Sequence, residues 1–351
     1  MSKGKVLLGM SGGVDSSVSA VILKDMGYTV IGCTMNLLES ENDEAIKDAK
    51  KVCEKLNIEH HVINCVNEFK CNVINNFISE YKQAKTPNPC VECNKYLKFG
   101  VFYQTAKKLG CKYIATGHYA KKDYSEKYGQ YVLRKSSEEK KDQTYFLYSI
   151  PKEEIEYIIF PLQDNRSKED TRNLAEKYGL EVAKKKDSQE ICFIKDNDYK
   201  RFLLQEGNLK PKKGKIVLKN GKVLGEHNGL INYTIGQRKG LGISYPEPLY
   251  VTRLDIEKNE VVVGKEKDLY TDTLIAENIN WLVDIKEQLK DGLKCLAKVR
   301  YRAKEAKVMV IMEDEKLIKV KFEFPQRAIT PGQSVVFYDE EGIVLGGGKI
   351  K

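Results

Sequence analysis

Cys90 and Cys93 stand three positions apart in "TPNPCVECNK", and a third cysteine, Cys192, stands in "DSQEICFI". A C-x-x-C pair can clamp a metal, cycle as a dithiol, or supply one nucleophile beside a coincidental neighbour. Structural zinc takes four ligands, commonly from a second C-x-x-C or a His pair, and neither follows here. A dithiol pair would turn Cys93 on Cys90. Cys90, Cys93 and Cys192 together could instead supply three thiolates to an iron–sulfur cluster, leaving one iron open. The chain has nine cysteines, an odd number, and opens "MSKGKVLLGMSGG" with no apolar leader. We therefore expect a cytoplasmic protein in which any disulfide is transient and catalytic. Cys33, Cys53 and Cys65 fall in strand-like or apolar helical positions and are expected in the core. Cys71, Cys111 and Cys295 have no chemical context that the sequence makes readable.

A second stretch, "GMSGGVDSS" at residues 9–17, carries phosphate chemistry. Backbone N–H groups in a glycine turn, followed by a helix N-terminus, form an anion site. Gly12 and Gly13 allow close backbone approach. Ser11, Ser16 and Ser17 add hydroxyls, and Asp15 can hold Mg2+. No Lys-Ser/Thr ends the loop, so it is not a Walker loop, and G-x-G-x-x-G is absent. The candidate nucleotide-binding residues are Gly9, Met10, Ser11, Gly12, Gly13, Val14, Asp15 and Ser16. Met35 and Gly117, at the ends of two other strand-like runs, are placed to meet the adenine and ribose, because nucleotides bind at the carboxyl ends of such strands.

The elements that must carry these residues alternate. "KVLLGM", "YTVIGCTMN", "HHVINC" and "KYIATGHYA" read as strands. Between them "SSVSAVILKDMG", "NDEAIKDAKKVCEKLN", the run with Phe69, Val73, Phe77 and Tyr81, and "CNKYLKFGVFYQTAKKLG" read as helices. This order predicts an α/β doubly wound parallel sheet. A last helix, "DNDYKRFLLQEG", starts at Asp196 or Asp198 as cap. Beyond it, short alternating runs broken by Gly and Asn predict a small β-rich middle domain and then a C-terminal β-barrel. The expected boundaries are 1–203, 204–270 and 271–351. No apolar run approaches the ~18 residues of a membrane-spanning helix. The net charge is +9, and residues 209–223 carry six lysines and no acid. That run, with the basic C-terminal strands, suits a polyanion.

"SGGVDS" resembles the pyrophosphatase loop of adenylating ATP enzymes, which cleave ATP between its α and β phosphates. "TPNPCVECNK", "ATGHYA", "KKDQTYFLY", "DSQEICFI", "YTIGQRKGLG" and "PQRAITPGQSVVFY" follow in order. With the loop they resemble the bacterial tRNA-specific 2-thiouridylases over essentially the whole chain. The resemblance implies ATP and Mg2+ as cofactors and adenylation of the position-2 carbonyl of the wobble uridine in the Lys, Glu and Gln tRNAs. Sulfur then arrives from a cysteine persulfide supplied by a cysteine desulfurase or a sulfur-relay protein. It implies Cys93 as nucleophile and Cys192 as persulfide carrier, joined in a transient disulfide. Their separation in sequence predicts loop motion between them. The resemblance also implies Asn88, Pro89 and Cys90 beside the target base. It implies tRNA contacts from His118, Lys141, Asp142, Gln143, Arg300, Tyr301 and Gln333. Many family members carry aspartate where this chain has Cys90, so the three-cysteine cluster stays open as a second route. Two other readings remain: another tRNA-adenylating enzyme of the superfamily, such as a lysidine synthase, and a metal-binding RNA module without turnover. A monomer suits a protein that clasps a large tRNA.

Overall fold

The computed structural model describes residues 2–39, 44–164, 167–184 and 191–351. Asp187 to Glu190 of "DSQEICFI" lie outside them. The N-terminal sheet has five parallel strands: β1 (Lys5–Gly9), β2 (Thr29–Asn36), β3 (Glu59–Asn64), β4 (Tyr113–Ala115) and, after an antiparallel hairpin of β5 (Lys121–Ser125) and β6 (Gln130–Arg134), β7 (Ile158–Ile159). Their order is β3-β2-β1-β4-β7.

Strand periodicity divides the core. Val6 and Leu8 of β1 face α1 (Val14–Asp25) and α2 (Glu44–Lys55), meeting Val18, Val21, Val52 and Cys53. Leu7 between them faces the opposite layer, where Phe99, Phe102 and Tyr103 pack. Both faces of the sheet are therefore covered, as the doubly wound reading requires. Gly27 ends α1's turn at φ +88°.

The second layer is built from two irregular helical runs. Residues 66–82 are helical with a π turn at Lys70–Ile74, and they bury Phe69, Val73, Phe77 and Tyr81 on one face, as their spacing predicts. The helix Pro89–Cys93 passes directly into a π turn at Asn94–Val101 and then into Phe102–Lys108. Wide turns of this kind often occur at functional sites. The helix Tyr199–Gln205 starts at Asp198, whose carboxylate accepts the Arg201 N–H at 2.9 Å.

The middle region is a four-stranded sheet, β10-β11-β8-β9, formed by β8 (Gly214–Leu218), β9 (Val223–His227), β10 (Tyr250–Asp255) and β11 (Glu260–Gly264). The C-terminal region closes as a six-stranded barrel, β12-β15-β14-β13-β16-β17. Its strands are β12 (Tyr270–Trp281), β13 (Leu293–Lys298), β14 (Ala306–Met312), β15 (Leu317–Arg327), β16 (Ser334–Tyr338) and β17 (Val344–Ile350). Closure leaves no free sheet edge. The barrel is not a separate appendage. Leu282, Val336, Tyr338 and Val344 belong to the same apolar cluster as Phe99 and Phe102. Among the described residues no helix is long and apolar enough to cross a membrane.

Candidate active site

The phosphate loop sits at the carboxyl end of β1. Met10 is tied to β2 on both sides, its N–H donating to Cys33 O at 2.8 Å and its carbonyl accepting from Thr34 Oγ1 at 2.9 Å. Gly12 adopts φ +68°, and a Cβ there would lie 2.5 Å from the Ala45 carbonyl oxygen. Gly13 caps α1 in an extended conformation, and without a side chain it cannot occupy the first-turn N–H groups. Ser16 Oγ accepts the Ser11 N–H at 3.2 Å and donates to Gly13 O at 3.1 Å, so the hydroxyls brace the turn from within. Gly117 presses on this turn: a Cβ there would stand 3.0 Å from Ser16 N. Asp15 accepts a hydrogen bond on Oδ1 from the Tyr119 hydroxyl at 3.0 Å, and Tyr119 also meets Thr171 Oγ1 at 3.3 Å. Met35, near the end of β2, packs between two core clusters. Beside it Asn36 Oδ1 is buried without a hydrogen-bond partner among the described residues, an acceptor suited to an N–H donor such as an adenine amino group. The loop and its surroundings thus fit a nucleoside triphosphate.

The cysteines gather on the other layer. Cys93 is buried at 8% exposure, whereas Cys90 and Cys192 are exposed. The residues after Cys192 anchor it. Phe193 packs edge-on against Phe69 and Phe77, with ring centroids at 5.7 and 5.4 Å, in the cluster that contains Cys93 and Leu97. The Cys192 thiol is pushed up to about 11 by burial around the sulfur, although the residue as a whole is exposed, and then by the charges of Cys93 and Cys90. Cys93 and Cys90 are raised too, chiefly by burial. Lys98 opposes the shift in all three. Through Phe193 the Cys192 segment is thus docked on the apolar cluster that buries Cys93, on the same layer of the sheet.

Residues 4–196 match the model of the tRNA methyl transferase HUP domain, 200–265 that of the tRNA methyl transferase PRC-barrel domain, and 271–350 that of the aminomethyltransferase beta-barrel domain. The tRNA-specific 2-thiouridylase MnmA 2 of Clostridium botulinum is 49% identical over 352 residues, 99% of this chain and 98% of its own. A tRNA-specific 2-thiouridylase MnmA 1 of Caldanaerobacter subterraneus is 47% identical, covering 99% of this chain and 98% of its own length. That of Acetivibrio thermocellus is 45% identical and spans both chains completely, at 100% and 100%. The chain belongs to the tRNA-specific 2-thiouridylase family.

Several residues for which the thiouridylase resemblance implies tRNA contacts make internal contacts in the structure. Asp142 is 3% exposed, and its two oxygens accept from Ser136 N–H at 2.9 Å and Thr144 Oγ1 at 2.7 Å. Gln143 clips Tyr119: its Oε1 accepts the Tyr119 N–H at 3.0 Å and its own N–H donates to Tyr119 O at 2.9 Å. Lys141 lies over the Tyr119 ring at 5.2 Å. His118 has Thr116 Oγ1 on Nδ1 at 2.8 Å and Lys98 Nζ on Nε2 at 3.4 Å. Burial and Lys98 hold its pKa well below the usual histidine value, so it works as a neutral ring with the proton on Nδ1. Arg300 donates to Ala328 O at 2.8 Å and Ile235 O at 3.4 Å, bridging barrel and middle sheet. Tyr301 packs against Phe146 with the rings tilted at 40° and their centroids 4.6 Å apart. Gln333 Nε2 donates to Thr86 O at 2.8 Å and Pro87 O at 3.4 Å, on the segment that leads into Asn88, Pro89 and Cys90. Lys98 and Tyr119 are functional candidates that the sequence reading missed. Lys98 follows Cys93 at about one π turn, and that spacing was the available signal.

An iron–sulfur cluster requires its thiolates to converge on one metal. Among the described residues no three His, Cys, Asp or Glu side chains are placed to hold a metal ion. Cys90, Cys93 and Cys192 do not form such a ligand set. Cys90→Asp should accordingly keep thiolation within about threefold of the parent, since Lys98, which opposes the effect of burial on the Cys90 thiol, would favour a carboxylate there too. Quantifying thiouridine by mass spectrometry after matched incubations checks this. Loss of activity together with loss of bound iron would restore the cluster.

Proposed function

We propose that this chain replaces the position-2 oxygen of the wobble uridine in the Lys, Glu and Gln tRNAs with sulfur, using ATP and a persulfide on Cys192. The observation that carries this reading is the docking of Phe193, next to exposed Cys192, in the apolar cluster that buries Cys93. Full-length kinship with thiouridylases supplies the substrate class.

The uracil oxygen is a poor leaving group, and ATP supplies the adenylyl group that makes it a good one. Gly12, Gly13, Ser11 and the first turn of α1 would cradle the phosphates. Asp15 would hold Mg2+, which commonly takes only one or two carboxylates beside phosphate oxygens and water. The carbonyl oxygen attacks the α-phosphorus and pyrophosphate leaves. The outer sulfur of the Cys192 persulfide attacks ring carbon 2, and AMP leaves with the old oxygen. Cys93 thiolate then attacks Cys192 Sγ, forming a Cys93–Cys192 disulfide and releasing the thiocarbonyl. Two external thiol equivalents reset the pair.

Exposure divides the labour. Cys192 can be loaded by a desulfurase or relay protein, while Cys93 is shielded from adventitious attack. Lys98 offsets the cost of forming thiolates in a buried site. We place the reaction in the reducing cytoplasm and in a monomer. Mass spectrometry of tRNA nucleosides after incubation with ATP, Mg2+ and a sulfur source tests the reading. Pyrophosphate release without thiouridine would favour a different adenylating activity.

Affinity for tRNA should be dominated by phosphate contacts. All six lysines between residues 209 and 223 are exposed, and only Lys219 has an ion-pair partner among the described residues, Asp268 at 2.8 Å. Binding should fall log-linearly with salt, and Lys212→Gln with Lys213→Gln should reduce the slope by about 1–2 units. An unchanged slope in filter binding would make this run a solvated hairpin.

A further inference from the structure

The barrel touches the cysteine helix through a partly buried ion triad that the reaction above does not use. Lys349, next to last in β17, lies 3.3 Å from Glu80 and 3.5 Å from Glu92. The three side chains are only 17%, 10% and 14% exposed. Glu80 lies in the last turn of the helical run 66–82, and Glu92 lies between Cys90 and Cys93. One ammonium therefore ties the last barrel strand to two neighbouring helical segments far from it in sequence. A second set of contacts fastens the same stretch. Thr86 N–H donates to Pro331 O at 2.9 Å, alongside the Gln333 contacts to Thr86 and Pro87. A Cβ on Gly332 would lie 2.9 Å from Thr86 N, so the barrel loop and the segment before Asn88 approach as closely as backbones allow. On the far side of the helix Asn94 Nδ2 donates to Phe146 O at 2.8 Å.

A largely desolvated lysine with two carboxylates contributes little net stability, because desolvation offsets most of the attraction. Such a group is more informative about geometry. It fixes Glu92, and with it the helical turn carrying Cys93, relative to the barrel. We propose that Lys349 is a positioning residue for sulfur transfer: through Glu92 the last barrel strand holds Cys93 in reach of Cys192. The proposal rests on the thiolation reading for its consequence, though not for its geometry. The barrel thereby takes part in the chemistry without touching a reacting atom. Loss of the hold should leave adenylation, which depends on the phosphate loop, ahead of sulfur transfer.

The test uses the full chain with Lys349→Met, Glu92→Gln and Lys349→Arg. Glu92→Gln is the milder change, because Lys349 keeps Glu80 as partner and no charge is stranded. Iodoacetamide labelling read by peptide mass spectrometry compares Cys93 with exposed Cys192 and with Cys33, which is fully buried at 0%. Lys349→Met and Glu92→Gln should speed Cys93 labelling relative to Cys192 and leave Cys33 unlabelled, while Lys349→Arg stays close to the parent. Thiolation should fall about tenfold or more, given the steep dependence of rate on placement, and pyrophosphate formed per thiouridine should rise in proportion. Cys93 labelling that is unchanged, or that rises only together with Cys33, overturns the proposal. So does an unchanged pyrophosphate-to-thiouridine ratio. A parent protein that makes no thiouridine would overturn the thiolation reading instead, and the labelling arm would still decide the positioning.

Discussion

Asp15→Ala should yield a protein that binds tRNA like the parent and makes no measurable thiouridine. Asp15 lies in the first turn of α1, where N–H groups and the Gly12–Gly13 turn converge on one space. In the proposed reaction, charge develops there as pyrophosphate leaves. Removing one fixed electrostatic partner from such a site costs about 10²–10³ in rate. Losing the carboxylate that would hold Mg2+ belongs at the upper end of that range. The fold should survive. Tyr119, which donates to Asp15 Oδ1 at 3.0 Å, keeps Thr171 as a neighbour at 3.3 Å, and α1 is held by Val18 and Val21 in the core. The basic run at 209–223 lies outside this sheet, so a gel shift should show affinity within about twofold. Lost tRNA affinity with normal pyrophosphate release would remove Asp15 from the phosphate site.

The layers of this fold were legible because period and punctuation agree along the first 115 residues. Leu7 and its neighbours alternate between two apolar layers, and Phe69, Val73, Phe77 and Tyr81 recur at helical spacing. The barrel strands were legible as runs, and their closure into one ring is a matter of long-range pairing that no local pattern states. The β5–β6 hairpin escaped notice because "KKDYS" and "QYVLR" are short and mixed in polarity. The site divides in the same way. Gly12, Gly13 and Asp15 announce themselves because backbone conformation and charge at one turn are local properties. Gln333, Arg300 and Asp142 do not, because the contacts that occupy them cross from one domain to another or fold back inside a turn. Lys349 looks like a solvated strand-end lysine until topology places two carboxylates beside it.

Cys192→Ser and Cys93→Ser should both abolish multiple turnover, by more than about 10³-fold, but at different stages. Cys192 is the exposed thiol, so its loss should prevent sulfur loading altogether. Intact-mass spectra after exposure to a sulfur source should show no added sulfur, while ATP and tRNA still yield pyrophosphate. Cys93→Ser keeps the loading site and loses the thiolate that cleaves the Cys192–sulfur bond. Sulfur should load, attack the adenylated base, and remain bonded to Cys192 at one end and to the ring carbon at the other. The expected product is a covalent protein–tRNA species, stable to denaturant and released as thiolated tRNA by dithiothreitol, which replaces Cys93 as the attacking thiol. The pH dependence follows from burial. With the Cys192 thiol pushed up to about 11, its thiolate is a small fraction at neutral pH. Alkylation of Cys192 in the parent should therefore climb about tenfold per pH unit across the neutral range instead of levelling near the ordinary cysteine value. A plateau at pH 8 would mean that Lys98 outweighs burial. If Cys93→Ser accumulated free persulfide and no adduct, Cys93 would have to act before the base is attacked, by releasing sulfide from Cys192. The two orders of events differ only in which bond Cys93 breaks, and the adduct distinguishes them because it exists in one order alone.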